Sequence, residues 1–155
     1  MPSIAKIRFT NVIYEDGNKR YNDEIFLFDG HNGAILLENG GGKTVLIQTA
    51  IQAILPHSSL ADRKIKDTLQ LEGNCAHIAI EWILNEKPRR YAVTAVTLFL
   101  TSNGVDSYRY AYDYSEGDAH SIENIPFVQE DARNKKRPAS RAEMHDYYQK
   151  RSQQS

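Results

Sequence analysis

The chain has 155 residues, of which 41% are hydrophobic and 25% are charged, and its formal net charge is −1 at pH 7. This size and composition favour one globular domain, and the near-zero charge excludes a general electrostatic attraction to nucleic acid or to membranes. The single cysteine, Cys75, excludes an internal disulfide and a cysteine-rich zinc site, and the lack of a signal-like or membrane-spanning apolar run predicts a cytoplasmic protein with no membrane partner.

The N-terminal segment is predicted to form a β-hairpin. Apolar and polar side chains alternate over residues 5–10, which is typical of a half-buried strand. Asp16-Gly17 is a common hairpin turn, and Ile25, Phe26, Leu27 and Phe28 would form a returning strand that is apolar on both faces. These residues therefore predict two antiparallel strands.

A phosphate-binding loop is predicted after this hairpin. A short apolar strand at 34–36 precedes three consecutive glycines, and an apolar helix at 45–55 follows them. Gly40, Gly41 and Gly42 let the backbone point several N–H groups at one anion. Lys43 can reach the β- and γ-phosphates of a nucleotide, and the Thr44 hydroxyl can bind Mg²⁺. The loop therefore predicts a nucleotide site at the N-terminus of a helix.

One residue departs from the usual pattern of such loops. The standard spacing places glycine at the position of Leu37, so the first turn differs here while the phosphate cradle is retained. The alternative interpretation is a glycine-rich turn that merely caps a helix.

The central segment predicts a short helix at 64–71 and then three consecutive antiparallel strands. Strands at 77–84, 91–100 and 108–114 are separated by turns at 85–88 and at Asn103-Gly104. The last strand carries tyrosine at every second position from Tyr108 to Tyr114. Such a stripe could stack bases, but few basic residues lie between the rings, which favours a packed sheet face.

The C-terminal segment becomes polar after residue 115. Lys135-Lys136-Arg137 is a solvated charge run or a contact to DNA backbone. Ser140 and Glu143 have the spacing of a capping box, which predicts that a helix begins there. We expect a nucleotide-binding lobe at 1–134 and, at 135–155, the start of a helical arm that continues in a longer protein.

A complete phosphate-loop ATPase also needs an acidic residue at the end of an apolar strand. The nearest candidate is Glu81, but it lies inside an alternating strand and is predicted to be a surface carboxylate. We therefore expect a nucleotide cradle that lacks the hydrolytic half.

In this order, the hairpin, the Asn39–Thr44 loop, the apolar helix, the antiparallel meander and the charged helix resemble the N-terminal half of the head of SMC-like ATPases. That family includes chromosome-organising, double-strand-break repair and bacterial DNA-defence proteins. The resemblance implies an α/β phosphate-loop lobe, with a mixed sheet and an antiparallel meander around a core helix. It also implies that ATP and Mg²⁺ bind at Asn39, Gly40, Gly41, Gly42, Lys43 and Thr44, with Thr44 as the metal ligand.

The resemblance further implies partners and one catalytic residue. The family splits its head, so a C-terminal lobe and a second head, in a homodimer, would complete the site, and DNA would be the partner of the full-length protein. Gln129 stands where the family uses a glutamine that touches Mg²⁺ or the attacking water. Two alternatives stay open: a self-contained small phosphate-loop kinase, and a structural module whose loop binds no nucleotide.

Overall fold

The computed structural model describes residues 3–14, 19–28, 71 and 73–153. This part of the chain is mostly antiparallel β-sheet with one α-helix. The elements are β1 (Ser3–Tyr14), β2 (Lys19–Leu27), β3 (Ala76–Glu86), β4 (Arg89–Thr101), β5 (Gly104–Ser115), a 3₁₀ helix (Ile122–Asn124), β6 (Val128–Glu130), β7 (Lys136–Pro138) and α1 (Arg141–Gln153).

The first five strands form one sheet in the order β2-β1-β3-β4-β5, and every neighbouring pair is antiparallel. The predicted N-terminal hairpin pairing and the β3–β4–β5 meander are therefore confirmed. The predicted strand at 34–36, the Asn39–Thr44 loop and the helix at 45–55 lie outside the described residues, as does all but the last residue of the helix predicted at 64–71. Within the described part the fold is thus mostly β, and its strand pairs are all antiparallel.

One face of the sheet is apolar, and we call it the apolar face. Its buried side chains come from β1, β3 and β4 and from residues on or beside β2: Ile7, Phe9, Val12, Tyr21, Phe28, Ala76, Ile78, Ile80, Val96 and Leu98. None of the described residues that follow β5 belongs to this cluster. The C-terminal elements therefore do not account for its burial.

The opposite face, which we call the covered face, is packed under the C-terminal segment. Apolar side chains from β3, β4 and β5 contact the 3₁₀ helix, the residues around β6 and β7, and α1. The buried residues that cover the face are Ile122, Ile125, Phe127, Ala139 and Met144. Because both faces carry buried side chains, this sheet forms the centre of the described structure.

The first two strands differ from their predicted burial. Arg8 and Thr10 are buried as deeply as the apolar residues of β1, so this strand is not half-buried as predicted. Among the described strands β2 lies at the edge of the sheet, and although it is apolar on both faces as predicted, it leaves Ile25 and Leu27 38% and 58% exposed. Burial at an edge depends on what packs beside it, which local alternation does not encode.

The α-helix of the described part has 13 residues and is too short and too polar to cross a membrane.

Candidate functional site

The predicted nucleotide-binding residues, Asn39, Gly40, Gly41, Gly42, Lys43 and Thr44, all lie outside the described residues. Gln129 is the predicted site residue that the structure describes. It lies in β6, opposite Arg137 of β7, and is half-buried. Its side-chain Nε2 donates a hydrogen bond to the Pro126 carbonyl at 3.0 Å. The side chain is therefore tied to its own segment, at the junction between the sheet and α1.

A buried arginine fixes the segment that leads to Gln129. Arg8 of β1 is 5% exposed, and its Nη1 donates to the carbonyls of Ile122 and Ile125, each at 2.8 Å. Its guanidinium also lies 4.9 Å from the ring centroid of Phe127. One side chain of the sheet thereby holds the chain at three points just before β6.

The charge of Arg8 is balanced from the neighbouring strand. Its Nε and Nη2 donate to the two carboxylate oxygens of Asp23 at 2.8 and 3.1 Å, and Thr10 donates to the same carboxylate at 2.8 Å. Such a bidentate ion pair fixes the orientation of the guanidinium as well as stabilising its charge. The arrangement explains how a charged residue can occupy the covered face.

A buried histidine anchors the chain just before α1. The Nε2 atom of His77 lies 2.8 Å from the Ala139 carbonyl, and its Nδ1 atom lies 2.9 Å from the Thr97 hydroxyl. The imidazole stacks on Phe127, with ring centroids 4.8 Å apart and planes 11° apart. Burial lowers the pKa of His77 to about 4, so the ring is neutral at physiological pH.

Glu81 is also buried, at 3% exposure, so the prediction of a surface carboxylate is wrong. The Tyr114 hydroxyl donates a hydrogen bond to Glu81 and accepts one from the Ile122 amide at 3.2 Å. Burial and the adjacent Glu81 carboxylate both raise the pKa of Tyr114. Glu81 thus has a structural partner 33 residues away in the sequence, which its own strand pattern did not reveal.

The capping box predicted at the start of α1 is confirmed. The Ser140 amide donates to Glu143 Oε1 at 3.0 Å, and the Glu143 amide donates to Ser140 Oγ at 3.2 Å. Arg137 of β7 also donates to both carboxylate oxygens of Glu143, at 2.6 and 3.1 Å. These bonds, that of Arg137 first, lower the pKa of Glu143 to about 2.

The tyrosine stripe of β5 packs under α1, as the packed-face interpretation predicts. Tyr110 and Tyr114 are buried, and Tyr148 of α1 lies with its ring 5.8 Å from that of Tyr110. The Tyr112 hydroxyl donates to the His120 carbonyl at 2.6 Å. These rings are engaged with the protein, so they do not form an open platform for bases.

A groove of about 730 Å³ opens between the ends of β1 and β2, the residue Asn74 before β3, and the β6–β7 hairpin. At its edge the Asn11 side chain donates to the Cys75 carbonyl at 3.1 Å. Its polar lining includes Arg20, Asn22, Asn74, Lys136 and Arg137. The sequence pattern singled out Lys136 and Arg137 as a charge run but did not show that β2 places Arg20 in the same groove.

Sequence reasoning missed the structural roles of Arg8 and His77. The available signal was a charged or polar residue at an inward position of an otherwise apolar strand, which requires a partner when it is buried.

Within the residues that the structure describes, no group of three or more His, Cys, Asp or Glu side chains could hold a metal ion. Neither a protein-family model nor a curated protein sequence matches the chain.

Proposed function

We propose that this chain is the N-terminal ATP-binding lobe of an SMC-like ATPase that acts on DNA. The observation that carries the proposal is the Asn39–Thr44 loop sequence, with an apolar run before it and an apolar helical pattern after it. The antiparallel pairing of β1 with β2 and the β3–β4–β5 meander, followed by a capped helix, support it. In this proposal the whole lobe is an α/β phosphate-loop fold with a mixed sheet and a core helix.

Each residue of the loop has a distinct task. The amides of Gly40, Gly41 and Gly42 would hold the phosphates, Lys43 would neutralise the β- and γ-phosphate charge, and Thr44 would bind Mg²⁺. When bound with ATP, Mg²⁺ takes most of its ligands from phosphate and water oxygens, so it needs no carboxylate cluster.

Gln129 is the proposed catalytic residue of the lobe. Arg8 and His77 fix the chain before and after it, which would give the Gln129 backbone a defined position relative to the sheet. Its Nε2 is bonded to the Pro126 carbonyl, so a role at the metal or at the attacking water would require the side chain to exchange that bond.

Hydrolysis in this proposal needs a C-terminal lobe and a second head, with a homodimer as the simplest assembly. Among the described residues, the one buried carboxylate on β3, Glu81, is engaged by Tyr114. This engagement supports a catalytic acid that lies outside the described part or in another lobe. A cytoplasmic location and DNA as the partner of the full-length protein belong to the same proposal.

Calorimetric titration of the chain with Mg-ATP tests the proposal. We expect binding by the wild type, no binding by Lys43→Ala, and the same melting temperature for both without nucleotide, because the lysine would serve the phosphates and not the core. Lys87→Ala, an exposed lysine in the β3–β4 turn, is the matched control and should bind ATP normally. Phosphate release by the chain alone should stay below multiple turnover.

The other outcomes identify the alternatives. A wild-type chain that binds no nucleotide would support a structural module. Multiple turnover that depends on Lys43 and transfers phosphate to an acceptor would support a small kinase. A fall in the melting temperature of Lys43→Ala comparable to that of a core cavity would make Lys43 structural.

A further inference from the structure

We propose that the outer edge of β2 pairs, antiparallel, with the same edge of a second copy of the chain. Within the described residues β2 is hydrogen-bonded to β1 and lies at one end of the sheet, and β5 lies at the other end. A strand at the end of a sheet presents a row of backbone N–H and C=O groups to its surroundings. This contact needs no nucleotide, so it is separate from the pairing of heads in the proposed function.

The register of β1 and β2 determines which backbone groups of β2 point outward. The Phe28 amide, just after the strand, donates to the Ala5 carbonyl of β1 at 2.8 Å. Hydrogen-bonded positions alternate along an antiparallel pair, so every second residue before Phe28 bonds to β1 in the same way. The amides and carbonyls of Ile25 and Leu27 therefore point away from β1.

The side chains at these two outward positions are also exposed. Ile25 and Leu27 are 38% and 58% exposed, although they belong to an apolar run at 25–28 that contains no charged residue. They are two residues apart in a strand, so they lie on the same face of the sheet. Removing such aliphatic surface from water stabilises any complex that covers it.

A second copy of β2 fits this edge because an antiparallel pair can be related by a twofold axis. With the axis near Ile25, the outward amides and carbonyls of the two strands meet, and Ile25 and Leu27 of both copies share one face. Asp23, the preceding outward residue, turns its carboxylate to Arg8 and Thr10, so it brings no unpaired charge into the contact. Because the aliphatic surface is small, we expect a weak, concentration-dependent dimer.

The opposite edge of the sheet is protected against such pairing. The Glu116 amide donates to the first carbonyl of β4 at 3.3 Å, so the odd-numbered residues of β5 point outward. The outward Ser107 amide donates to Asp106 Oδ1, and the outward Asp113 carbonyl accepts from Arg151 Nη2, each at 2.8 Å. Side chains thus occupy backbone groups that another strand would need. A pair joined through β2 has a protected β5 at each end and should stop at two copies.

Sedimentation velocity without nucleotide, from micromolar to near-millimolar concentration, tests the contact on the full 155-residue chain. The wild type should shift from monomer to dimer as the concentration rises and should form nothing larger. Leu27→Lys should raise the dissociation constant of the dimer at least about tenfold, because each copy loses an aliphatic contact and gains a charge. Leu100→Lys is the matched control, since Leu100 is 51% exposed but lies in β4, inside the sheet, and it should dimerise as the wild type does.

Hydrogen exchange of the wild type at low and high concentration locates the contact without relying on the folding of a variant. The amides of Ile25 and Leu27 should gain protection as the concentration rises. The Phe26 amide, which bonds to β1, should be protected throughout, and the outward Ala111 amide of β5 should show no concentration dependence. Protection of the Ile25 and Leu27 amides already at the lowest concentration would show that the edge is covered within one chain, and would overturn the proposal.

Three results of the sedimentation experiment would also overturn it. They are no self-association at the highest concentration, growth beyond two copies, and equal dissociation constants for Leu27→Lys and the wild type.

Experiments with nucleotide separate this contact from the proposed ATP site. Lys43→Ala should dimerise as the wild type does when no nucleotide is present. A dimer that forms only with Mg-ATP and is lost in Lys43→Ala would belong to the nucleotide-dependent heads, and the β2 contact would be wrong. If the wild type dimerises through Leu27 but binds no ATP, the β2 contact stands and the nucleotide proposal fails.

Discussion

His77 of β3 donates a hydrogen bond from Nε2 to the carbonyl of Ala139, 62 residues later in the chain, at 2.8 Å. A carbonyl can only accept, so this nitrogen carries the proton, and in the neutral ring Nδ1 accepts from the Thr97 hydroxyl. The imidazole therefore joins the centre of the sheet to the residue that precedes the capping box of α1. The start of the helix is thus tied to the sheet by a buried side chain that is neutral at physiological pH.

The first prediction concerns the pH dependence of stability. The pKa of His77 falls from 6.5 to about 4 on folding, so the unfolded chain binds a proton in that interval and the folded chain does not. The folded state is therefore most stable above pH 6.5. The free energy of unfolding decreases by about 3 kcal/mol as the pH falls from 6.5 toward 4. Urea denaturation at a series of pH values measures this slope.

His77→Gln isolates the contribution of the histidine, because glutamine keeps a donor for Ala139 but does not titrate. We expect the variant to be less stable at neutral pH and to show a flatter pH dependence between pH 6.5 and 4. His145→Gln, at an exposed position of α1, should retain the wild-type slope. An unchanged slope in His77→Gln would assign the pH dependence to other groups.

The second prediction compares a buried arginine with a partly exposed one. Arg8→Ala leaves the Ile122 and Ile125 carbonyls without their donor and Asp23 without its counter-ion, and we expect a loss of about 3 kcal/mol in the free energy of unfolding. Arg90→Ala breaks a pair with Asp113 of similar length, 2.7 Å, that is open to solvent.

The loss for Arg90→Ala should stay below about 1 kcal/mol. Chemical denaturation of the two variants beside the wild type makes the comparison. Equal losses would mean that the contacts of Arg8 with the 3₁₀ segment contribute little to stability.

The third prediction concerns the carboxylate on β3. Tyr114→Phe removes the donor to buried Glu81 and the acceptor of the Ile122 amide, and we expect a cost of about 2 kcal/mol. Glu81→Gln keeps an oxygen that accepts from Tyr114, so its cost should be smaller. Tyr91→Phe, at a half-buried neighbouring tyrosine, is the control.

Thermal or urea unfolding gives the order of the three variants. A larger loss for Glu81→Gln than for Tyr114→Phe would show that the structure requires both carboxyl oxygens of Glu81 more than it requires the hydrogen bond from Tyr114.

The sequence predicts what is encoded locally. The strands β3, β4 and β5 follow from alternation and from the turns at Pro88 and Gly104, and the start of α1 follows from the spacing of Ser140 and Glu143. These signals operate over a few residues, so they do not depend on the rest of the fold.

The buried polar contacts could not be predicted in the same way. Arg8 donates a hydrogen bond to the carbonyl of Ile122, which lies 114 residues later in the chain. Nothing in the sequence of β1 indicates that partner. The groove has the same origin, because Arg20 and Lys136 become neighbours through the fold. The nucleotide role of Lys43 and Thr44 stays a prediction from the sequence.

The last prediction concerns the capping box. Ser140→Ala removes the acceptor of the Glu143 amide, and we expect a loss of about 1 kcal/mol. Glu143 has a pKa of about 2, below its ordinary value of 4.5, chiefly because Arg137 donates to it. Its stabilisation is therefore present above pH 4.5 and is lost as the pH falls toward 2, a lower window than that of His77.

Hydrogen exchange followed residue by residue separates the two effects. Below pH 4.5 the first-turn amides of α1 should lose protection in the wild type, and in Glu143→Gln, whose side chain does not titrate, that additional loss should be absent. Because Met144 is fully buried against the sheet, the middle of the helix should stay protected in both proteins until the fold itself opens. The contrary outcome is that the whole helix loses protection at once, in both proteins and in the pH range where His77 lowers the free energy of unfolding. That result would show that the capping box does not stabilise the first turn independently of the rest of the fold.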